Sequence, residues 1–407
     1  MPRFLKGFKY FLLLLFLFAI PWQLKAAIIV PSDSLKVQPK DIFDVGMKII
    51  GIKKERQHID PSSTHRPFFA ILPGIGYAPQ LGFSFDLTTN LSFYIDSGHQ
   101  ANISTITVEP IYTFNHQFFV SMISNIWTKG NKLNLQGDWR FYSYPSQIYG
   151  LGGHTTLKNS AGVDYSHARF YQYMLFQLAP DLLFGPGYSL DHYWNIKTDN
   201  KGAGNALDYQ SYGITPTSVS SGLSLNFLYD TRRNANNPRP GQFLNIVYRP
   251  NVTWMGSNTN WQSLIIDARK YFSFPANSDN ILAFWSYDWL TVSGKPPYLD
   301  LPSTGWDTYA NMGRGYIQGR FRGSNLLYFE SEYRFRLSKN GLFGGVVFAN
   351  IQTVSNYPSN AFDTYFPAFG AGLRIKANKF SNLNISLDYG IGVGGANGFF
   401  FNIGEVF

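Results

Sequence analysis

The sequence predicts an all-β membrane protein, a sixteen-stranded antiparallel transmembrane β-barrel, and three observations lead there. The first is composition. Charged residues make up 14% of the 407 residues and aromatics 17%, with 38 Gly and no Cys, whereas an ordinary soluble domain carries about a quarter charged residues. The second is that beyond the N-terminus no apolar run approaches the ~20 residues a spanning helix needs, so the oily residues must cross a bilayer interleaved with polar ones, as barrel strands do. The third is period-two alternation repeated along the chain. Zero Cys also removes disulfide scaffolds, thiolate metal sites and Cys nucleophiles.

The first element is a signal peptide over residues 1–26. Arg3, Lys6 and Lys9 precede the apolar stretch Phe11–Ile20, and Leu24-Lys25-Ala26 offers a cleavage site. An uncleaved anchor is disfavoured because the run is short. Cleavage removes four cations and no acid from a chain of net charge +9, so the charge implies no nucleic-acid partner. No Cys near the cleavage site offers a lipid anchor. Residues 27–65 form a short periplasmic segment, either a tail or an amphipathic helix within Pro39–Gln57 with Ile42, Val45, Ile49 and Ile52 at helical spacing. Gly46 and Gly51 weaken the helix, and the segment is too short for an independent domain.

The barrel occupies 66–407. Leu223, Leu225, Phe227 and Tyr229 interleave with Ser224, Asn226, Leu228 and Asp230; Leu383, Ile385, Leu387 and Tyr389 interleave with Asn384, Ser386 and Asp388. Successive side chains of a strand point to opposite faces, so each run has an oily face and a polar one. There are too many such runs for one sandwich core, which turns the oily faces to lipid and the charges to a lumen. The runs are 66–76, 82–94, 102–114, 118–127, 131–141, 166–178, 182–194, 218–230, 242–253, 260–273, 280–292, 325–337, 341–353, 367–377, 382–390 and 398–407. Their number is even, as expected for a bacterial single-chain barrel. The long gaps, 142–165, 195–217, 293–324 and 354–366, are all odd-numbered and therefore lie on one side. Most even-numbered gaps are tight turns. Long outer loops and short periplasmic turns are the expected asymmetry. Phe407 shares parity with Phe399, Phe401 and Ile403, which reads as a terminal aromatic on a lipid-facing last strand and a C-terminal insertion signal.

Three stretches resemble the barrel of the bacterial surface antigen family, the outer-membrane assembly and two-partner secretion transporters. Asp230-Thr231-Arg232-Arg233-Asn234 with Pro238 and Gly241 is similar to that family's turn D-x-R-D-N-x3-P-x2-G, with Arg233 in place of an acid. Arg314-Gly315-Tyr316 in the eleventh gap, followed by Gly319-Arg320-Phe321-Arg322 and Glu332-Tyr333-Arg334-Phe335, is similar to its R-G-F/Y loop motif and the next strand. The ending, Gly370–Arg374, Asp388-Tyr389-Gly390 and Phe407, is the third. Gly313 departs from the usual aliphatic residue and Asn350 from the usual Asp. The family's periplasmic repeats, about 75 residues each, do not fit within 27–65. The resemblance implies a bare sixteen-strand barrel whose long sixth outer loop folds into the lumen.

On such a loop Arg314 needs a carboxylate, which accepts a guanidinium through paired hydrogen bonds. Glu332 is the first candidate, since its parity with Arg334 and Arg336 places it on the inner wall. Asp288 and Glu330 follow, and Asn350 could accept one neutral bond. Gly315 permits a tight turn and Tyr316 packs on the wall. Without the resemblance, an exposed loop arginine is the simpler reading. Pro73 in the first run removes a ladder donor, so the first and last strands should pair weakly, or the proline merely ends a strand. The family's proposed chemistry, strand addition at an open seam, is implied with it.

Enzyme chemistry finds no support. The seven His lack tight ligand spacing, and there is no G-x-S-x-G elbow, Walker loop or dinucleotide fingerprint. Glu330 and Glu332, about 7 Å apart on one face, have an acid/base spacing, but Arg334 and Arg336 beside them make a lumenal charge network the better reading. No catalytic residue, metal or cofactor is expected. The expected role is insertion or translocation of proteins or lipids at the bacterial outer membrane, with outer-membrane lipids and periplasmic or lipoprotein accessory subunits as partners. The alternatives are a passive pore plugged by the sixth loop, or a surface adhesin built on loops 142–165 and 195–217.

Overall fold

The structure is a computed structural model that describes residues 38–52, 67–78, 82–95, 102–198, 208, 211–213 and 215–407. The expected signal peptide, 1–26, lies outside the described residues, as do 27–37 and 53–65 of the segment after it and residue 66 of the expected first run. Within that segment one helix, α1 (Ile42–Ile49), forms. It is shorter than the sequence allowed: Asp41 and Asp44 cap its start reciprocally, each side chain accepting from the other's backbone N–H at 3.0 and 3.1 Å, and Gly51 at φ +78° follows its end.

Sixteen strands follow: β1 (Phe68–Ala78), β2 (Gly82–Phe93), β3 (Ser104–Thr113), β4 (Phe118–Trp127), β5 (Leu133–Ile148), β6 (Ala161–Ala179), β7 (Leu182–Thr198) and β8 (Ser218–Asp230). The second half comprises β9 (Gly241–Asn251), β10 (Trp261–Ser273), β11 (Ile281–Gly294), β12 (Asn325–Arg336), β13 (Phe343–Val354), β14 (Phe366–Asn378), β15 (Leu383–Gly392) and β16 (Asn397–Ile403). Each pairs antiparallel with its chain neighbours in one meander. The barrel is nearly closed: among the described residues no ladder joins β1 to β16, although the two come near each other, Phe401 Cδ1 lying 3.9 Å from where a Cβ on Gly76 would stand.

Alternation sets the faces as expected. On β12, Leu326, Tyr328, Glu330, Glu332 and Arg334 are buried while Leu327, Phe329, Ser331 and Tyr333 are half-exposed. On β8, Leu223 and Leu225 are about half exposed to the outside, while Ser224, Asn226 and Leu228 are buried within. Three strands, β5, β6 and β7, run four or more residues past the expected ends. β5 and β6 continue beyond the bilayer-length runs because Tyr142, Tyr144 and Tyr165 pack inward with Tyr193 of β7. Their outward residues there, Ser143, Pro145 and Gln147, are not lipid-like, which is why period-two oiliness did not mark them. At the other end β16 stops early, at Ile403.

A sixteen-strand cylinder is too wide to fill with wall side chains alone. Here chain segments enter it. Residues 295–324, between β11 and β12, descend into the lumen, and residues 405–407 rise into it from the short-turn end. Met312, Tyr316, Phe321, Val406 and Phe407 join the wall residues Tyr271, Trp285, Tyr328 and Phe366 in one buried cluster.

The outward assignment has a direct consequence. Leu225→Arg should cost about 2–4 kcal/mol when unfolding is followed in bilayers, whereas the same change at Leu157, exposed in the loop between β5 and β6, should cost little.

Candidate functional site

The segment 295–324 reaches the inner wall in a fixed path. Its backbone folds on itself through Thr304 N–H to Phe321 O at 3.0 Å and Gly319 N–H to Thr304 O at 2.8 Å. Asp307 accepts from the N–H groups of Met312 (2.8 Å), Asn311 (3.2 Å) and Tyr309 (3.3 Å), which rounds the tip. Burial pushes the Asp307 carboxyl up, partly offset by those N–H groups. Arg320 holds the loop to Thr155, donating to its hydroxyl at 2.8 Å and its carbonyl at 2.6 Å. Phe321 stacks on Phe366 of β14 at 3.6 Å.

At the tip, Arg314 is buried at 1% exposure. Its guanidinium donates to Glu330 and Glu332 of β12 and to Asp388 of β15, the last at 2.5 Å, and lies 3.7 Å from the Phe348 ring centroid of β13. Two of the candidate carboxylates, Glu332 and Glu330, are thus acceptors of the guanidinium. Gly313 and Gly315 have φ of +86° and +105°, in the left-handed region that glycine adopts without strain. A Cβ on Gly315 would lie 2.8 Å from that of Ala368, and one on Gly313 2.6 Å from Thr304 Cγ2. The missing aliphatic residue at 313 is thus excluded by packing. Tyr316 donates its hydroxyl to Pro367 O at 2.6 Å and accepts from Val393 N–H at 3.0 Å.

Two expectations about this site require correction. Asp288 is not a partner of Arg314. On β11 the inward residues are Ala283, Trp285 and Tyr287, so Asp288 has the opposite parity; it pairs across with Leu327 and Ile266 on the outward face. Asn350 does not accept from the guanidinium either. Its amide donates to the Arg314 backbone carbonyl at 2.9 Å, because three carboxylates already take the guanidinium. Asp388 is the third partner, which the sequence presents only as a motif residue. Its alternation with Asn384 and Ser386 marked an inner-wall carboxylate, but nothing local tells which loop a wall carboxylate meets.

The carboxylates are themselves shared. Asp388 also accepts from Arg374 of β14, Arg374 donates to Glu405 at 2.7 Å, Glu405 lies 3.6 Å from Arg334, and Arg334 donates to Glu332 at 2.5 Å. Arg314, Asp388, Arg374, Glu405, Arg334 and Glu332 thereby close a ring of alternating charge. Glu405 belongs to a segment that leaves the wall at Gly404, φ +107°.

Phe407 corrects a third expectation. It does not face lipid; it is 2% exposed inside the lumen, 5.2 Å from Trp285 and 6.2 Å from Tyr271, and its carbonyl accepts from Arg334 at 2.7 Å. Parity counted along 398–407 failed because the extended run ends at Ile403 and the chain turns inward at Gly404.

The turn motif after β8 lies at the same end. Asp230 accepts from Arg232 through its N–H at 3.0 Å and through Nε and Nη2, each at 2.9 Å, and that guanidinium sits 4.1 Å from the Phe243 ring centroid. Asn234 accepts from the N–H groups of Asn236 and Asn237 and donates to Ser381 O at 2.8 Å. Asn237 donates to Asn382 O at 3.0 Å. Pro238 follows, and Gly241 opens β9 where a Cβ would lie 3.2 Å from Thr231 O. The β8–β9 turn therefore bridges to the β14–β15 turn, six strands away, and closes part of the mouth.

A nearly closed sixteen-strand antiparallel barrel, with an arginine loop latched to its inner wall, defines the class: an outer-membrane-type transmembrane barrel. The sequence matches no protein-family model and no curated protein. Among solved structures it is similar to BamA from Haemophilus ducreyi lacking POTRA domains 1–3, at 14% identity and a TM-score of 0.55, over 83% of this chain and 70% of that one. It is likewise similar to CdiB from Acinetobacter baumannii, at 13% identity and a TM-score of 0.50, over 83% of this chain and 60% of that one. At these identities the shared property is the fold: the chain forms a sixteen-strand barrel similar to those of BamA and CdiB.

Arg314→Ala leaves Glu330, Glu332 and Asp388 facing one another without their shared cation, and breaking a buried pair this way costs about 3–5 kcal/mol. The expected outcome is protease sensitivity of 295–324 and a lowered thermal transition of the barrel. Asp288→Asn should leave both unchanged. Glu405→Gln, which opens the ring at its far side, should raise accessibility of Phe407 and, to a lesser degree, of the loop, measured by hydrogen exchange.

Proposed function

We propose that this protein resides in the bacterial outer membrane and assists insertion or translocation of polypeptides there, through strand addition at the β1–β16 edge. The carrying observation is that every neighbouring strand pair from β1 to β16 is laddered, while among the described residues the pair that would close the cylinder is not. An open strand edge presents unpaired N–H and C=O groups, costly in hydrocarbon, and such an edge templates an incoming strand. Two features keep it open. Pro73 within β1 lacks a donor, and β16 is only seven residues long because residues 404–407 are drawn into the lumen. The motif resemblance and the likeness to the BamA and CdiB folds support the same reading. The proposal invokes no catalysis and no cofactor; its partners are membrane lipids, the cargo and accessory periplasmic or lipoprotein subunits.

A passive pore is the second reading, and the latched loop, residues 405–407 and the bridging β8–β9 turn weigh against it because they occupy the conduction path. The chain has no native Cys, so Gly76→Cys with Phe401→Cys introduces the only two, at the place where β1 and β16 approach. Oxidised protein should fail to restore outer-membrane protein and surface-lipid levels in depleted cells, with rescue on reduction. Full function of the locked form would defeat the proposal, and stable high conductance in planar bilayers would favour the pore.

A further inference from the structure

At the short-turn end of the barrel the turns surround a half-open cavity of about 370 Å³, within the size range of small-ligand pockets. Its walls carry an excess of cations. Lys40, Arg239, Arg336, Lys339, Lys376 and Lys379 line it, with Arg334 and Arg374 above them, against only two carboxylates, Asp279 and Glu405.

The acids nearby are already committed. Asp279 is shared by Arg239, at 3.3 Å, and Arg336. Glu405 belongs to the latch ring. Asp44 of α1 takes Lys379 at 2.9 Å, and Asp41 accepts the Lys379 backbone N–H at 3.0 Å. Among the described residues, Lys40, Lys339 and Lys376 have no carboxylate within ion-pair distance; Lys376 reaches only Asn382, at 3.4 and 3.5 Å. The Nη1 of buried Arg334, on the cavity wall, has no hydrogen-bond partner.

The cluster is assembled by tertiary structure. Its cations come from the β8–β9, β12–β13 and β14–β15 turns, from the adjoining strands β12 and β14, and from Lys40, two residues before α1. Lys40 is fixed by its backbone N–H donating to Asn340 O at 3.1 Å, which brings the helix start across the mouth. Like charges gathered on a concave surface repel one another unless an anion is present, and low-dielectric walls strengthen the field they make.

We propose that this mouth cavity binds a phosphate-bearing ligand. A phosphate carries up to two negative charges and several strong acceptor oxygens, enough to meet several lysines and arginines at once. One carboxylate meets fewer, and the small concave volume favours a compact anionic group over an extended acidic segment. The phosphate is that of a lipid headgroup, since these turns lie where barrel strands leave the hydrocarbon, or that of a soluble phosphorylated compound. The site is independent of the β1–β16 edge, so its failure would leave the edge reading untouched.

The test uses the full chain in neutral detergent, titrated calorimetrically with inorganic phosphate, together with a mass-spectrometric count of phosphatidic acid retained against phosphatidylcholine. Lys339→Gln with Lys376→Gln should weaken phosphate binding at least tenfold. Lys129→Gln with Lys132→Gln, two exposed lysines at the same end but outside the cavity, should leave it unchanged. Heat-modifiable migration of both variants checks that the barrel is intact. Phosphate binding together with selective phosphatidic acid retention assigns the ligand to a lipid headgroup; phosphate binding without it assigns a soluble compound. No phosphate binding, equal loss in both variants, or binding of a glutamate-rich peptide but not phosphate would overturn the proposal.

Discussion

The interior of this barrel is organised around one guanidinium. Arg314 sits where water is excluded, at the tip of a loop that must cross much of the lumen to arrive there. A charge so placed is stable only with partners that satisfy it, and the wall supplies three, from β12 and β15. Three carboxylates around one cation would repel one another, so Arg334 and Arg374 alternate with them and the ring closes through Glu405. The consequence is mechanical as well as electrostatic: loop, β12, β14, β15 and residues 405–407 form one bonded unit. Phe348 beneath the guanidinium adds a cation–π face.

That unit and the open edge are two aspects of one arrangement. The segment that completes the ring leaves the wall at Gly404, and in doing so shortens the last strand. Extending β16 to meet β1 along its length would withdraw Glu405 and Phe407 from the lumen, taking acceptors away from Arg334 and Arg374 and emptying the place beside Trp285. Interior packing and wall closure compete for the same residues, and in this structure the interior wins.

Much of this was legible in sequence. The strand positions followed from alternation, and the parity of long gaps fixed which end carries the loops. Glu330 and Glu332 were readable as lumenal because two-residue spacing on a strand leaves no choice of face once Arg334 and Arg336 are placed. Asp288 failed by one position, since a single-residue shift inverts the face and β11 has Trp and Tyr on its inner side, where an oily pattern pointed outward. Phe407 failed because parity continues only while the backbone stays extended, and Gly404 ends that.

Sequence by itself determined the wall: its period of two, its strand count and the polarity of each face, because these depend only on neighbours along the chain. Which carboxylates hold Arg314, whether β1 meets β16, and how cations from three separate turns gather at the mouth were decided by tertiary structure. Those contacts join residues tens to hundreds of positions apart, as Asp41 and Lys379 are, and only closure of the cylinder sets the distances between them.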